Sequence, residues 1–591
     1  TRHFLPSGGA AARLCLTGVG ACGKVCAMED DSPGARWQKM PGSSLVLWLR
    51  DLYYMFGWRL LLCLLIVQGV LKGFCGGGGG SGLAGMPIEF LLREFGVKAA
   101  SMQVYKAAVL ISWSIKPLFG LLSDSVPILG YHRRSYFALL GIAGCAAYAG
   151  IALSSSASLA VLLLLLFFVF LQIAMSDLLS EAVYSVHLKH ASSHGPDLIS
   201  FVWGTIGIGK LLGVALAGPL IASLGPRGPY GVCFFIAASA LLVPALNLAG
   251  EKPLREGSCF KAKRSEPMLA MVAMLTGFGA IALAAVSVLG SSLDVKVAAA
   301  GVLGFVCLGS ISLVLSPVIA KVNAFFFVQH IFTWSVDGAA FYFFTDGPRQ
   351  YPGGPHFSTV FYTSVLGLVS TAFSFAGMFA YTRWMRTWRY PRVLVVGNVL
   401  SAGVGLASCL VFLRWNLRLG IDDHFFVLAS SAVQTVVFEM AWLPGMLMIS
   451  QLCPEGVEAT VFALLAGMGN LGASLGGYFG AYLLHLLGVE PRGAEAETEQ
   501  FDRLWMAALA SALGPCVPLF LVGRLIPNVS QQERLEGLDT ATSDSLLSRL
   551  MGWRAASTSP SVELRSIVGR HCADGLDLED SPHVRSPGQP P

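Results

Sequence analysis

Apolar runs of about 20 residues recur along almost the whole chain, separated by short polar loops. A helix of that length spans about 30 Å, the hydrocarbon thickness of a bilayer, at about 1.5 Å per residue. Only 13% of the 591 residues are charged, whereas a water-soluble domain carries about 25%. The pattern therefore predicts an all-α polytopic membrane protein and excludes a water-soluble globule.

Fourteen of these runs are predicted to be transmembrane helices. They lie near residues 58–87, 101–122, 135–153, 158–183, 198–224, 230–248, 268–290, 296–317, 323–345, 358–381, 392–413, 424–451, 458–487 and 503–525. We expect six regions: a cytoplasmic arm (1–55), a six-helix bundle (56–250), a basic cytoplasmic connector (251–267), two inserted helices (268–320), a second six-helix bundle (321–527) and a disordered cytoplasmic tail (528–591).

Lys and Arg residues cluster in the loops that lie on the side of the N-terminus when the runs are counted through the membrane. Such clusters mark cytoplasmic loops, and an even helix count returns the C-terminus to the same side. We therefore expect both termini in the cytoplasm, with the plasma membrane favoured over an organelle membrane. We expect no cleavable signal peptide, and a first residue other than methionine, Thr1, indicates a truncated start.

Several function classes lack their sequence signals. There is no phosphate-binding loop, zinc-ligand spacing or serine nucleophile elbow, and the 13 cysteines follow no disulfide spacing. The net charge of +5 is spread over many loops, so no nucleic-acid partner is predicted. We expect no enzyme activity, no cofactor and no metal.

A loop with a distinctive order of residues follows the second run, in KPLFGLLSDSVPILGYHRR (116–134). Its marked positions are Gly120, Asp124, Gly130, Arg133 and Arg134. Their order resembles the loop that major facilitator transporters carry between their second and third helices. Gly120 would let a neighbouring helix come close, and Asp124 would hold a gate through a helix N-terminus or a basic partner. The alternative is a basic loop that only fixes orientation in the membrane.

Four blocks of sequence carry a narrower resemblance. They are KPLFGLLSD with GYHRRSY, FVWGTIGIGK (201–210), AFYFFTD (340–346) and LCPEGVEATVFALLAGMGNLGASLGGYFGAYLL (452–484). In this order they resemble the folate-biopterin transporters of the major facilitator superfamily, from about residue 60 to residue 525. There are two departures: Glu181 replaces the second acid of a fourth-helix pattern, and the run Gly76–Gly80 is not a family feature.

The resemblance implies a secondary active transporter that moves folates, pterins or related antifolates by alternating access, with proton symport as an option. Its partners would be the small-molecule substrate, the lipid bilayer and protons. S-adenosylmethionine or another small metabolite on the same fold is the alternative. A channel or a membrane enzyme is less favoured, because neither a filter repeat nor a catalytic set is visible.

Six ionisable residues lie deep inside apolar runs, where each costs about 2.5 to 3.5 kcal/mol on insertion scales and so needs a cavity or a partner. They are Lys116, Asp177, Glu181, Lys210, Asp337 and Glu439. By the resemblance, the four carboxylates meet in the central cavity. Asp177 and Glu181 lie four residues apart and share one helical face. Simultaneous ionisation of two carboxylates this close is unfavourable, which makes them candidate proton-coupling residues. The alternative is that each forms a structural ion pair with Lys116, Lys210 or the loop arginines.

A folate or pterin offers a flat ring with polar edges, and folates add carboxylates. We expect cations, stacking rings and hydrogen-bonding groups around it. The candidates are Lys116 and Lys210 as cations, Trp203, Phe341 and Tyr342 as stacking rings, Gln172, Gln329 and Gln434 as ring-edge partners, and Asp337 and Glu439 as further polar contacts. Packing or lipid contact is the alternative for the aromatic residues.

The eleventh helix of the twelve-helix core carries glycines four residues apart, Gly472, Gly476 and Gly480. This spacing predicts a seam at which another helix packs closely. Glu455 and Glu458 stand at the start of that helix as gating candidates, with helix capping as the alternative for Glu455.

Overall fold

The computed structural model describes residues 43–77, 80–190, 195–253, 267–290, 292–453, 458–533 and 545–550. Within these residues, thirteen helices are long and apolar enough to cross a bilayer. The helices used below are α1 (Leu45–Gly76), α2 (Ile88–Glu94), α3 (Ala99–Ser125), α4 (Arg134–Leu153), α5 (Leu159–His190), α6 (Gly195–Leu224), α7 (Gly228–Ala245), α8 (Pro267–Val288), α9 (Leu293–Val314), α10 (Pro317–Ile331), α11 (Asp337–Thr345), α12 (Phe361–Met385), α13 (Tyr390–Phe412), α14 (Asp423–Gln451), α15 (Glu458–Leu486), α16 (Thr498–Leu525) and α17 (Leu546–Leu550). Helices α2–α17 belong to one compact unit that starts at Met55.

The segment expected as one helix near 323–345 is two shorter helices, α10 and α11, with a non-helical break between them. The side chain of Gln103 in α3 forms hydrogen bonds with backbone groups that have no helical partner at the break. It donates to the Ser335 carbonyl at 2.7 Å and accepts from the Gly338 N–H at 3.2 Å. A broken helix is tolerated at membrane depth when the surrounding protein satisfies its backbone in this way.

The glycine seam of α15 lies against this broken segment. A methyl group added at Gly480 would stand 2.1 Å from the Ser335 carbonyl oxygen, and one at Gly476 would stand 2.7 Å from the His330 carbonyl oxygen. Only a residue without a side chain allows this approach, since a real Cβ does not come within 3.0 Å of another heavy atom. The predicted packing role of these glycines is confirmed.

The two additional helices, α8 and α9, pack on α3 and α15 respectively and on each other. Tyr478 of α15 and Ser287 of α8 share a hydrogen bond of 2.6 Å between their hydroxyl groups. The pair therefore lies against the bundle rather than apart from it.

The second part of α1, Leu65–Gly76, has π-helical geometry and ends where the glycine run begins. Gly77 adopts a left-handed φ of +63° and its N–H bonds back to the Lys72 and Gly73 carbonyls. A methyl group at Gly77 would stand 2.1 Å from the Gly82 nitrogen. The glycine run thus contributes the C-terminal turn of α1.

Residues 526–533, which follow α16 directly, pack against the protein, although a disordered tail is predicted from residue 528. Gln531 is 3% exposed and donates from Nε2 to the Met385 carbonyl at 2.7 Å and the Trp388 carbonyl at 3.0 Å. The Tyr381 hydroxyl donates to Gln531 Oε1 at 2.6 Å. These bonds fasten the segment after α16 to the loop between α12 and α13, a long-range contact that the polar composition of the tail does not reveal.

Candidate functional site

A buried carboxylate in α5 stands at the centre of a charged cluster inside the bundle. Asp177 has a side chain that is only 1% exposed. Its Oδ2 accepts from Lys116 Nζ of α3 at 2.5 Å, and its Oδ1 accepts from Lys72 Nζ and Gln68 Nε2 of α1, each at 2.8 Å. One carboxylate therefore joins three helices.

A second carboxylate shares the same lysine one helical turn later. Glu181 Oε2 lies 3.4 Å from Lys116 Nζ, and the Glu181 side chain is 32% exposed. Gln68 also donates to Ser180 Oγ at 2.7 Å, which fixes the amide between the two acids. The cluster holds two lysines and two carboxylates, so its formal charge is zero when all four are ionised.

The two acids differ in how firmly they are held. Asp177 has two cations and an amide on its oxygens, whereas Glu181 has one long contact and an open side. The predicted pairing of the acids with Lys116 is present. Asp177 is therefore the more tightly paired of the two acids, and Glu181 is the more accessible one.

Aromatic rings flank both lysines. Lys116 Nζ lies 5.1 Å from the Trp113 ring centroid, and Lys72 Nζ lies 5.7 Å from that of Trp203. Trp203 of α6 is 53% exposed and meets Trp442 of α14 edge-on at 6.5 Å between centroids. An exposed indole beside a lysine can stack on a flat ring while the cation holds an anionic group.

Lys210 of α6 and Glu439 of α14 form a separate pair of half-buried charges. Each acts electrostatically on the other, but neither belongs to the Asp177 cluster. They sit on the same two helices that carry Trp203 and Trp442.

Other predicted binding residues are packed elsewhere. Phe341 and Tyr342 are fully buried; the Tyr342 hydroxyl donates to the Val97 carbonyl at 2.6 Å, and Phe341 meets Phe90 edge-on at 4.9 Å. Both rings pack α11 against the α2–α3 region and offer no open face. The stacking role predicted for them stays a prediction, and in the described arrangement both rings are packing residues.

The three glutamines expected at one ring edge are not brought together. Gln172 is 1% exposed and fits against Gly144, where an added methyl would meet its Oε1 at 1.8 Å. Gln329 donates to Asn398 Oδ1 at 3.1 Å. Gln434 lines a different polar pocket, with Ser370, Ser408, Ser430, Ser431 and Thr435. A common ring-edge site for the three side chains is therefore absent here.

Asp337 begins α11 and is exposed. It acts electrostatically on Lys106 of α3, which itself pairs with Glu89 of α2 at 2.6 Å. These residues form a second charged group that is distinct from the Asp177 cluster.

In the loop between α3 and α4, an acid that was not predicted holds the backbone. Glu251 accepts backbone N–H groups from His132 at 2.6 Å, Arg133 at 3.0 Å and Arg134 at 2.8 Å. Arg134 also donates from Nε to the Pro244 carbonyl at 2.7 Å. Glu251 thus caps the N-terminus of α4, where a negative charge is favoured.

The remaining gate candidates show weaker contacts. Asp124 is exposed and acts electrostatically with Arg133. A methyl at Gly120 would have only an ordinary contact with the Leu178 side chain of α5 at 3.8 Å, so the space there does not require a glycine; a tighter approach is made by Gly467 on Pro117. Gly130 has a left-handed φ of +79° and forms the turn of the loop.

The two gate candidates near the start of α15 cannot be placed. Glu455 lies outside the described residues, and the structure describes the backbone of Glu458 but not its side chain.

Sequence reasoning missed Lys72, Gln68 and Glu251. Lys72 had a readable signal, because it is an ionisable residue inside an apolar run, like the six that were selected. Gln68 and Glu251 had none, since neither their residue type nor their position reveals a partner more than 100 residues away.

Comparisons with known proteins agree with this architecture. The sequence model of the BT1 family matches residues 79–545. The chain is 26% identical over 482 residues to the protein named probable folate-biopterin transporter 5 of Arabidopsis thaliana, across 81% of this chain and 86% of that protein. It is 28% identical over 479 residues to the folate-biopterin transporter of Synechocystis sp., across 79% of this chain and 82% of that protein.

Among solved structures, the chain resembles the in meso crystal structure of the POT family transporter PepTSo. The TM-score is 0.54 at 12% identity, across 79% of this chain and 98% of the other. At that identity the likeness shows a shared fold. The predicted fold class, an all-α polytopic membrane protein of the major facilitator type, is confirmed.

Proposed function

Because the chain belongs to the BT1 family, whose curated relatives are folate-biopterin transporters, we propose that this membrane transporter carries folates or pterins. The two groups of core helices, α1–α7 and α10–α16, would rock about a site near mid-membrane, with α8 and α9 outside the repeat. The N-terminus, the α3–α4 loop and the C-terminus would be cytoplasmic, in the plasma membrane.

The observation that supports this substrate class is the charge-neutral cluster with one open edge. A folate or antifolate brings carboxylates and a flat ring. Lys116 can exchange its long contact with Glu181 for a substrate carboxylate, and Trp203 offers a stacking face beside Lys72. Lys210 and Glu439 would meet the polar edges of the ring from the other side.

Charge counting gives the cluster a means of proton coupling. When Glu181 takes a proton, the cluster changes from a net charge of zero to +1, which matches one substrate carboxylate. When the substrate leaves, loss of that proton restores neutrality around Lys116. Asp177 stays ionised throughout, because it alone holds the lysines of α1 and α3 together. Proton and anion would therefore move as a pair.

Uptake into proteoliposomes tests the proposal. Labelled folate, methotrexate and biopterin would be offered at external pH 5.5 and 7.5, with protein-free vesicles as the baseline. We expect saturable accumulation of at least one compound, faster at pH 5.5. If none accumulates above the baseline, the substrate class is refuted.

Variants separate the roles. Glu181→Gln keeps the cluster at +1, so we expect substrate exchange to persist while accumulation driven by an inward proton gradient disappears. Lys116→Ala removes the shared cation and should abolish both. Lys321→Gln, which alters an exposed lysine of α10, serves as the matched control, and all variants are reconstituted at equal protein density. Unchanged proton-driven accumulation in Glu181→Gln would refute the coupling step.

A further inference from the structure

An ion pair joins α2 to the end of α11, far from the Asp177 cluster. Arg93 Nη2 lies 2.8 Å from Asp346 Oδ1, and Arg93 Nη1 lies 3.2 Å from Thr345 Oγ1. The Asp346 side chain is fully buried, whereas that of Arg93 is 26% exposed. The pair therefore places a buried acid under a partly exposed guanidinium.

Further bonds surround this pair and join the same two parts of the chain. The Tyr342 hydroxyl donates to the Val97 carbonyl at 2.6 Å. Lys98 Nζ lies 2.6 Å from Glu490 Oε2, and the Ala99 N–H donates to the Pro491 carbonyl at 2.9 Å. Residues 93–99 are thus fastened to α11 and to the loop between α15 and α16.

All these bonds lie on one side of the membrane. They gather at the first residue of α3, whereas the loop that carries Arg133 and Arg134 follows the last. The 27 residues of α3 correspond to about 40 Å at about 1.5 Å per residue. The bonds therefore close the face opposite that loop, which is called the distal face below.

The Asp346 carboxylate is paired but poorly solvated. Neither of its oxygens receives a well-aligned hydrogen bond, although the guanidinium is close. In the described part of the chain, the other charged or titratable groups that face it are Tyr342 of α11, Glu497 of the α15–α16 loop and His356 of its own loop, whose Nδ1 lies 2.6 Å from the Asp346 carbonyl oxygen. Glu497 is itself 3.7 Å from Arg492.

We propose that Asp346 is a proton-uptake site coupled to closure of the distal face, distinct from the Asp177 cluster: it binds a proton as α11 docks on α2 and releases it as they part. No covalent step is involved. The proton comes from the water that fills the open face and returns there. When Asp346 is protonated, Arg93 still donates to Thr345 Oγ1.

The sign follows from burial. Desolvation raises the pKa of Asp346 from 3.8 to about 6 in the closed arrangement; Arg93 opposes the rise, Glu497 adds to it and His356 opposes it. When the face opens, the acid becomes hydrated and its pKa returns towards its ordinary value. Protons stabilise the state in which the Asp346 carboxyl has the higher pKa. Low pH therefore favours the closed distal face, and a rise in pH through about 6 favours the open one. A difference of about two pKa units corresponds to a change of about 100-fold in the ratio of closed to open protein.

This proposal rests on the transporter fold and not on the identity of the substrate, so its test uses no substrate. Nitroxide labels on cysteines introduced at Glu94 and Pro348 would report the separation of α2 from the segment after α11, in full-length protein in lipid nanodiscs with reactive background cysteines replaced. We expect the short-distance population of the parent to fall between pH 5 and pH 8.

Three variants make the test specific. In Asp346→Asn the side chain is neutral at every pH, so the face should stay closed and lose its pH response. In Arg93→Gln the group that lowers the pKa is gone, so the midpoint should move to higher pH. Glu490→Gln removes an acid on the same face whose pKa is lowered by Lys98 and His485 although burial opposes this, and it should leave the midpoint unchanged.

Folding is checked by size-exclusion profile and thermal unfolding for each variant. A pH-independent distance in the parent, or a pH response that survives in Asp346→Asn, would overturn the proposal. A midpoint that moves to lower pH in Arg93→Gln would overturn the assigned sign.

Discussion

Removal of the Asp177 charge should destabilise the protein through the lysines that it leaves behind. Asp177→Asn changes the cluster from zero to +1, leaves Lys72 without a carboxylate partner among the described residues and leaves Lys116 with Glu181, at 3.4 Å. Loss of one partner from a buried ion pair costs about 3 to 5 kcal/mol. We expect the free energy of unfolding to fall by about that amount.

A second substitution tests whether charge is the cause. Lys72→Gln alone leaves the cluster at −1, but Lys72→Gln together with Asp177→Asn returns it to zero. We expect the double variant to be more stable than the sum of the two single effects by about 0.5 to 3 kcal/mol, the usual coupling between residues in contact. Reversible unfolding in mixed micelles with increasing SDS measures all four proteins, and Lys321→Gln reports the effect of changing an exposed lysine.

Two results would refute this reasoning. If Asp177→Asn unfolds within about 0.5 kcal/mol of the parent, the range expected for a surface change, the carboxylate does not hold α1, α3 and α5 together. If the double variant shows no coupling, the loss comes from packing around Asp177 and not from unbalanced charge.

Three further predictions concern backbone contacts. Gly480→Ala places a methyl 2.1 Å from the Ser335 carbonyl oxygen and should cost about 1 to 3 kcal/mol by overpacking, whereas Gly469→Ala, with its nearest neighbour at 3.8 Å, should be nearly neutral in the same unfolding assay. Gln531→Ala strips the buried Met385 carbonyl of its side-chain donor and should cost about 1 to 3 kcal/mol; an unchanged unfolding midpoint would contradict the fastening of the post-α16 segment. Glu251→Ala should speed hydrogen exchange of the amides at 132–134 and cost about 0.5 to 2 kcal/mol, the range for loss of a helix cap; equal exchange rates would contradict the cap.

The buried ionisable residues could be predicted from the sequence, but the partners that surround them could not. Asp177, Glu181 and Lys116 were found because an ionisable residue in an apolar run stands out whatever the fold. The same rule applies to Lys72, which was overlooked. Their distances could not be predicted, because the contacts join helices more than 60 residues apart.

Aromatic side chains were harder to place than charges. Phe341 and Tyr342 have the residue types that a stacking site needs, but packing needs the same types. What decides between the two roles is which way α11 faces, and that depends on the break before it. The break is stabilised by Gln103, 232 residues from Ser335 along the chain, so no local pattern of α10 or α11 reveals it.

Glu181 and Asp346, the two acids that are each proposed to bind and release a proton, lie too far apart to act as one titrating group. Glu181 is tied to Lys116, and the Asp346 pair gathers at the first residues of α3; the 17 residues between Ala99 and Lys116 correspond to about 25 Å along the helix at about 1.5 Å per residue. Groups at that separation cannot share a proton through a direct hydrogen bond, and changes so distant combine nearly additively. Glu181→Gln should therefore leave the pH midpoint of distal-face closure where it is in the parent, and Asp346→Asn should leave the net charge of the central cluster unaltered. A midpoint that moves in Glu181→Gln would mean that the two sites are linked through the conformation of α3 and α5, and the independent roles assigned to them would have to be merged into one coupled transition.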